Sequence, residues 1–145
     1  MSRALDTSLA DWCTSYVAAF SAYDVSGISA HWAFPSVILS GGRVLGFKSR
    51  ERFDANTNGL LDFYRDQSVD SAERTLIASF PLGDAGASIR VADRMLDPDG
   101  NEIVSWQVAY TLARLEGGWR AVLAAADGEI AAWAARGTPL GSKNG

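Results

Sequence analysis

One cysteine, Cys13, and one histidine, His31, stand in a chain of 145 residues. A single thiol excludes an internal disulfide, and one Cys with one His cannot supply the clustered ligands of a zinc site. Neither a metal nor another cofactor is expected. Basic residues are also few: 13 Lys and Arg against 17 Asp and Glu leave a net charge of -4. That is the opposite of the footprint a phosphate backbone attracts, so nucleic acid is not an expected partner. No apolar run reaches the roughly 18 residues of a membrane span, and the opening MSRALDTSLADW lacks the apolar stretch of an export signal. A membrane partner is therefore not expected, and a cytoplasmic location is.

What the chain does have is apolar content. At 48% apolar and 21% charged residues, a chain of this length hides about 70% of the surface it would expose unfolded and needs no covalent staple. No repeat, charge run or low-complexity block divides it, which predicts one domain over 1–145. Within that domain the core spans about 5–126, a short C-terminal helix covers 127–136, and 137–145, GTPLGSKNG, has the composition of a loose end.

Helical periodicity comes first along the chain. Leu9, Trp12, Cys13, Tyr16, Val17 and Phe20 share one helix face. Ser8 with Asp11 resembles a capping box for its start. Asp24 reads as the N-cap of a second helix bearing Val25, Ile28 and Trp32 ahead of Pro35. A third begins near Ser49 with Phe53, Thr57, Leu60, Leu61 and Tyr64 on one face. Between the second and third, PSVILSGGRVLGF predicts a hairpin turning at Gly41 and Gly42. After Gln67 the period becomes two, and long strands are expected over 68–80, 87–96, 102–115 and 119–126. Ile130, Trp133 and Ala134 share one face of a last short helix. Helices first and antiparallel strands afterwards define an α+β domain with its helices on one sheet face.

The stretch YVAAFSAYDVSGISAHW, the FPSVILSGG hairpin behind it, the third helix and the closing LARLEGGWRAV resemble the NTF2-like superfamily. That group includes the SnoaL-like cyclases and the steroid delta-isomerases, and the match runs from about Leu5 to Ala126. The resemblance implies a cone: three N-terminal helices packed on a strongly curved, mostly antiparallel sheet, with an apolar pocket at the open end. It also implies a homodimer through the outer sheet face, where further Trp, Ala and Val are expected. Tyr16 falls where the steroid isomerases place an oxyanion-hole tyrosine. Their proton-shuttling aspartate falls at Ser40, which cannot act as that base, and their second acid falls at Thr111 or Tyr110.

The residues themselves nominate a site. His31 has the one side chain that titrates near neutrality, so it is the candidate general base, with Tyr16 and Asp93 as the other candidate catalytic groups. Ala72, Leu76, Ala78 and Phe80, then Ala87, Ile89, Val91 and Met95, then Val104, Trp106, Val108 and Leu112 form apolar strand faces, interrupted by Arg74, Asp93 and Tyr110 in turn. Charges so placed must pair or meet a polar ligand if the faces look inward; if they look outward, they belong to a dimer interface. Phe20, Trp32, Phe53, Arg74, Trp106 and Tyr110 are the candidate ligand-binding residues. Two functions follow. One is binding of a small, largely apolar organic molecule in the cone, with or without cofactor-free acid–base catalysis of the isomerase, cyclase or dehydratase type. The other is a non-catalytic module whose cone is filled by its own side chains. The volume of the cavity discriminates between them.

Overall fold

A computed structural model describes residues 3–140, with side chains from residue 7 onward. Helix α1 runs Arg3–Ser21, α2 Val25–Ser29, α3 Arg50–Asp66 and α4 Asp127–Arg136. The strands are β1 Trp32–Ser40, β2 Arg43–Phe47, β3 Ser71–Pro81, β4 Gly86–Leu96, β5 Glu102–Leu115 and β6 Gly118–Ala125. They form one curved, unclosed sheet in the order β2-β1-β6-β5-β4-β3. Every neighbouring pair is antiparallel except β1 and β6. The four later strands are a meander, and the early hairpin docks beside its last strand.

Local chemistry sets most element ends. The Asp24 carboxylate accepts from the Gly27 N–H at 3.1 Å and the Ser49 hydroxyl from the Arg52 N–H at 3.4 Å, so α2 and α3 start where their caps stand. Gly41 and Gly42, at φ +58° and +80°, make the hairpin turn that a β-carbon would resist. Two expected boundaries move. Helix α1 begins at Arg3, so Ser8 and Asp11 lie inside it rather than capping it; the Ser8 hydroxyl instead accepts the Trp119 indole N–H at 3.0 Å. Helix α2 stops at Ser29, and Trp32 opens β1 instead of extending the helix. Five residues are too few for propensity to hold a further turn against the sheet pairing of Trp32 with Ala121.

The faces of β4 and β5 settle which way the meander looks. Ala87, Ile89, Val91, Asp93 and Met95 are buried, as are Val104, Trp106, Val108, Tyr110 and Leu112. Their neighbours Arg90, Arg94, Ser105 and Gln107 are exposed. The expected Trp and Val of the outer face of these two strands therefore point inward, leaving Ser, Ala, Thr, Gln and Arg outside. On that face Arg94 reaches Glu73 at 2.7 Å and Glu102 at 2.9 Å across three strands. Strand β3 follows the expected alternation only to Leu76. Pairing shifts between Leu76 and Ala78, so Ile77 is an extra residue and the strand reverses its faces. Phe80 consequently leaves the inner face and is 65% exposed.

All five tryptophans are buried, together with Tyr16, Phe53, Phe63, Tyr64 and Tyr110. Helix α4 crosses β5 so closely that a β-carbon on Gly128 would lie 2.3 Å from the Gln107 carbonyl oxygen. Glycine is required at that crossing. The Asp127 carboxylate accepts the Gly41 N–H at 2.6 Å, which ties the start of α4 to the first hairpin. Gly137 ends α4 in the left-handed region at φ 90°, and Leu140 packs back on the core. Residues 137–140 of the expected loose end are thus described and held by Leu140 against the core, and 141–145 lie outside the described residues.

Candidate functional site

The open end of the cone holds a cavity of about 850 Å³. Its walls come from every layer. Helix α1 supplies Tyr16, Val17 and Phe20, β1 Trp32, and α3 Phe53, Leu60 and Tyr64; the inner sheet face supplies Ala72, Met95, Trp106 and Val108. Helix α4 and the segment after it add Glu129 and Leu140. The periodicities explain this convergence. Helix residues spaced by three and four, and strand residues spaced by two, each put one stripe toward the same space.

Besides Ser40, Asn56, Thr57 and the acids Asp62 and Asp66, polar groups are clustered in this wall at two places. On the sheet, Arg74 of β3 stands opposite Asp93 of β4 in register, and both side chains are only 5% exposed. Arg74 Nε donates to one Asp93 carboxylate oxygen at 2.7 Å and Nη2 to the other at 2.8 Å. Nη2 also donates to the Tyr110 hydroxyl at 2.9 Å. The guanidinium carbon lies 5.1 Å from the centre of the Tyr16 ring and 4.9 Å from that of Tyr110. Such contact suits a cation already removed from water. The buried charges cancel in a two-pronged pair, which is what makes their burial tolerable.

Two phenols complete this side. The Tyr16 hydroxyl accepts the Trp32 indole N–H at 2.7 Å, as the Tyr110 hydroxyl accepts from Arg74. Burial pushes the Tyr16 phenol well above its usual range and Tyr110 up to about 12. Both remain protonated at neutral pH, and neither hydroxyl proton has an acceptor among the described residues. Each is a donor that a ligand oxygen or ring could use.

The second place lies across the cone. Glu129, on the first turn of α4, projects under Tyr64 of α3 and Trp133 of its own helix. The Tyr64 hydroxyl donates to Glu129 Oε2 at 2.5 Å and the Trp133 indole N–H to the same oxygen at 3.2 Å. The other oxygen, Oε1, takes no partner from the described chain, yet it is not among the sealed, unsatisfied polar atoms. It therefore keeps accessible surface on a residue that lines the cavity. Burial raises the Glu129 carboxyl to about 7, against the lowering effect of its two donors.

The structure gathers Tyr16, Phe20, Trp32, Phe53, Arg74, Asp93, Trp106 and Tyr110 around one cavity. His31 is set apart. It lies behind Tyr16, its ring stacked on the phenol at 5.1 Å, with Nδ1 2.7 Å from the Gly27 carbonyl and Nε2 2.6 Å from the Ser15 hydroxyl. Burial lowers its pKa. Both ring nitrogens are engaged by neighbouring helix turns, and the residue is not part of the cavity wall. Cys13 is buried with its thiol pushed up to about 11 by desolvation, so it packs as a small apolar group. Sequence reasoning passed over Glu129 and Tyr64 as site residues. The available signal was Glu129 placed four residues before Trp133, which puts a carboxylate on the apolar face of the last helix.

Among the described residues, no group of three or more His, Cys, Asp or Glu could hold a metal, and no helix is long and apolar enough to cross a membrane. Fold and site together define an α+β cone whose open end carries an aromatic cavity with few, grouped polar atoms. The chain belongs to the NTF2-like proteins of family DUF6841, whose pattern matches residues 7–129.

Solved structures share the fold. An NTF-2 like protein of unknown function from Shewanella oneidensis MR-1 matches with a TM-score of 0.66 at 9% identity, over 83% of this chain and 96% of that one. Aln2 from a Streptomyces species matches at 0.68 and 17%, over 86% and 91%. A ketosteroid isomerase-like protein from Erwinia carotovora atroseptica matches at 0.62 and 14%, over 82% and 92%. No curated protein matches.

Proposed function

We propose that the protein binds a small, largely apolar organic molecule in the cone. The observation that supports this most is the cavity of about 850 Å³ walled by Tyr16, Phe20, Trp32, Phe53 and Trp106. Sites of this kind are concave and mostly apolar, with a few placed polar groups that fix orientation. Here those groups are the Tyr16 and Tyr110 hydroxyls on one side and Glu129 on the other. A cone filled by its own side chains would leave no such space. Acid–base conversion of the bound molecule, of the isomerase, cyclase or dehydratase type, is a second reading. It is favoured by a carboxyl whose pKa is about 7 facing the same cavity as two hydroxyl donors.

Tryptophan quenching by naphthylmethanol tests the binding reading, because Trp32 and Trp106 line the cavity. Saturable quenching is expected in the native protein, and Val108→Trp, which fills the space from the sheet side, should abolish it while circular dichroism stays native. Absence of quenching, or quenching indifferent to Val108→Trp, overturns the reading. We also propose self-association into a homodimer. Ile77, Phe80, Leu82 and Leu115 are exposed toward one end of the β3–β4–β5 region, where the Arg114 N–H reaches the Ala85 carbonyl. Apolar side chains grouped in this way favour a protein contact.

A further inference from the structure

The charges around the cavity do not balance, and their placement says which molecules would balance them. Arg74 is the one cation among the described lining residues; its Nε and Nη2 bond the Asp93 carboxylate, which cancels its charge, and its Nη1 is buried without a partner. Asp62, at the rim, is paired with Arg65 at 2.9 Å. Two acids remain, Glu129 in the wall and Asp66 at the exposed rim. Glu129 is the inner one. Its Oε2 is saturated by Tyr64 and Trp133, and its Oε1 is left without a partner at the cavity.

We infer that the cavity selects largely apolar molecules carrying one basic nitrogen, and that Glu129 Oε1 is the atom that receives it. This rests on the proposed binding function. A carboxylate removed from water needs a hydrogen-bonded countercharge, and the described residues supply none on this side. A protonated amine brings both at once, as a charge-assisted N–H···O bond. Aromatic rings around the same space, Phe20, Tyr64 and Trp106 among them, add faces that attract a cation. An anionic ligand would meet an uncompensated acid, with the charge of Arg74 already cancelled by Asp93 and only its buried Nη1 left to donate.

The groups that face Glu129 are consistent with this exchange. Tyr64 of α3 and Trp133 of α4 donate to it, Asp93 of β4 raises its pKa, and Arg74 of β3 lowers it. In the empty site its carboxyl holds a proton up to about pH 7. A cationic amine displaces that proton to solvent; nothing else is transferred. Binding of an amine below neutrality is therefore coupled to proton release, and binding of a neutral isostere is not.

Isothermal titration with naphthylmethylamine, naphthylmethanol and naphthoate, in two buffers of different ionisation enthalpy, tests the inference. At pH 8 the amine is expected to bind about tenfold more tightly than the alcohol, the worth of one charge-assisted hydrogen bond, and the carboxylate more weakly than either. Near pH 6 the amine alone should release a proton. Glu129→Gln should bring amine and alcohol together and abolish the release. An alcohol that binds as well as the amine, or a ranking unchanged in Glu129→Gln, overturns the inference and leaves the cavity reading standing. Failure of all three probes removes the cavity reading and the inference with it. The ranking in the native protein needs no variant to fold.

Discussion

Arg74 and Asp93 come from adjacent strands, stand directly opposite in register, and close a two-pronged ion pair at 2.7 and 2.8 Å beneath the cavity. Neutralising one strands the other in a low-dielectric space. Arg74→Met or Asp93→Asn alone should cost about 3 to 5 kcal/mol, whereas the double variant should cost less than their sum. Urea denaturation at fixed protein concentration measures this. Small, additive losses would mean that water compensates the pair.

The Glu129 carboxyl predicts a pH dependence of stability. Its folded pKa of about 7 lies above the ordinary 4.5, so the native state binds more protons than the unfolded state between those values. Stability is therefore highest on this account below 4.5, falls as pH rises through the window, and levels off above 7. The fall should be on the order of 3 kcal/mol, from about 1.4 kcal/mol per pKa unit. Glu129→Gln, which cannot ionise, should lose this fall by urea denaturation and keep only the opposite, rising contribution of His31. A stability difference between the native protein and Glu129→Gln that stays constant across the window contradicts the burial of this group.

His31 should matter to folding more than to binding. With both ring nitrogens bonded and the imidazole behind Tyr16, His31→Ala removes two hydrogen bonds and a stacked ring, at a cost of about 1 to 3 kcal/mol. Affinity for naphthylmethanol should stay within about twofold, well under the 1.4 kcal/mol that a roughly tenfold change requires. Because burial lowers the folded pKa of His31, its stability contribution is present above the ordinary 6.5 and is lost as pH falls below it. Weakened binding with unchanged stability would return His31 to the site.

Tyr16→Phe leaves the Trp32 indole N–H without its acceptor in a buried wall. The cost should be about 1 to 3 kcal/mol, the penalty of an unsatisfied buried donor. Trp32→Phe added to it should recover part of that loss, since the orphaned group is then gone. A further loss from the second substitution would show that the indole packs rather than bonds.

Light scattering addresses the proposed dimer. Twice the chain mass is expected at micromolar protein, and Phe80→Glu should shift it toward the monomer, because a charge at a 65% exposed position costs nothing until a partner covers it. A monomer mass in the native protein would remove the proposal.

Much of the fold was legible because its signals are local. The cap at Asp24, the start of the third helix near Ser49, the turn at Gly41 and Gly42 and the change of period after Gln67 depend on neighbours a few residues away. The ring of residues lining the cavity was legible for a related reason. Tyr16, Phe20, Trp32 and Phe53 recur on helix and strand stripes, and Arg74, Asp93 and Tyr110 interrupt otherwise apolar strand faces. That pattern left open which face looked inward, since an apolar face suits a core and an interface equally.

Composition, periodicity and capping chemistry determined by themselves that the chain is an α+β domain with a polar interruption on each of three strands, and the order of its elements matched the NTF2-like pattern. Tertiary structure alone decided the rest. The bulge at Ile77 turned Phe80 outward, because a single extra residue reverses a strand of period two and no side chain announces it. The stacking of His31 behind Tyr16 withdrew the one histidine from the cavity, and helix spacing cannot say what covers a ring. Glu129 gained its place by α4 folding back across β5 at Gly128, where it meets Tyr64 from 65 positions earlier. The pKa of a carboxyl is set by what surrounds it in space, and only the folded chain brings those groups together.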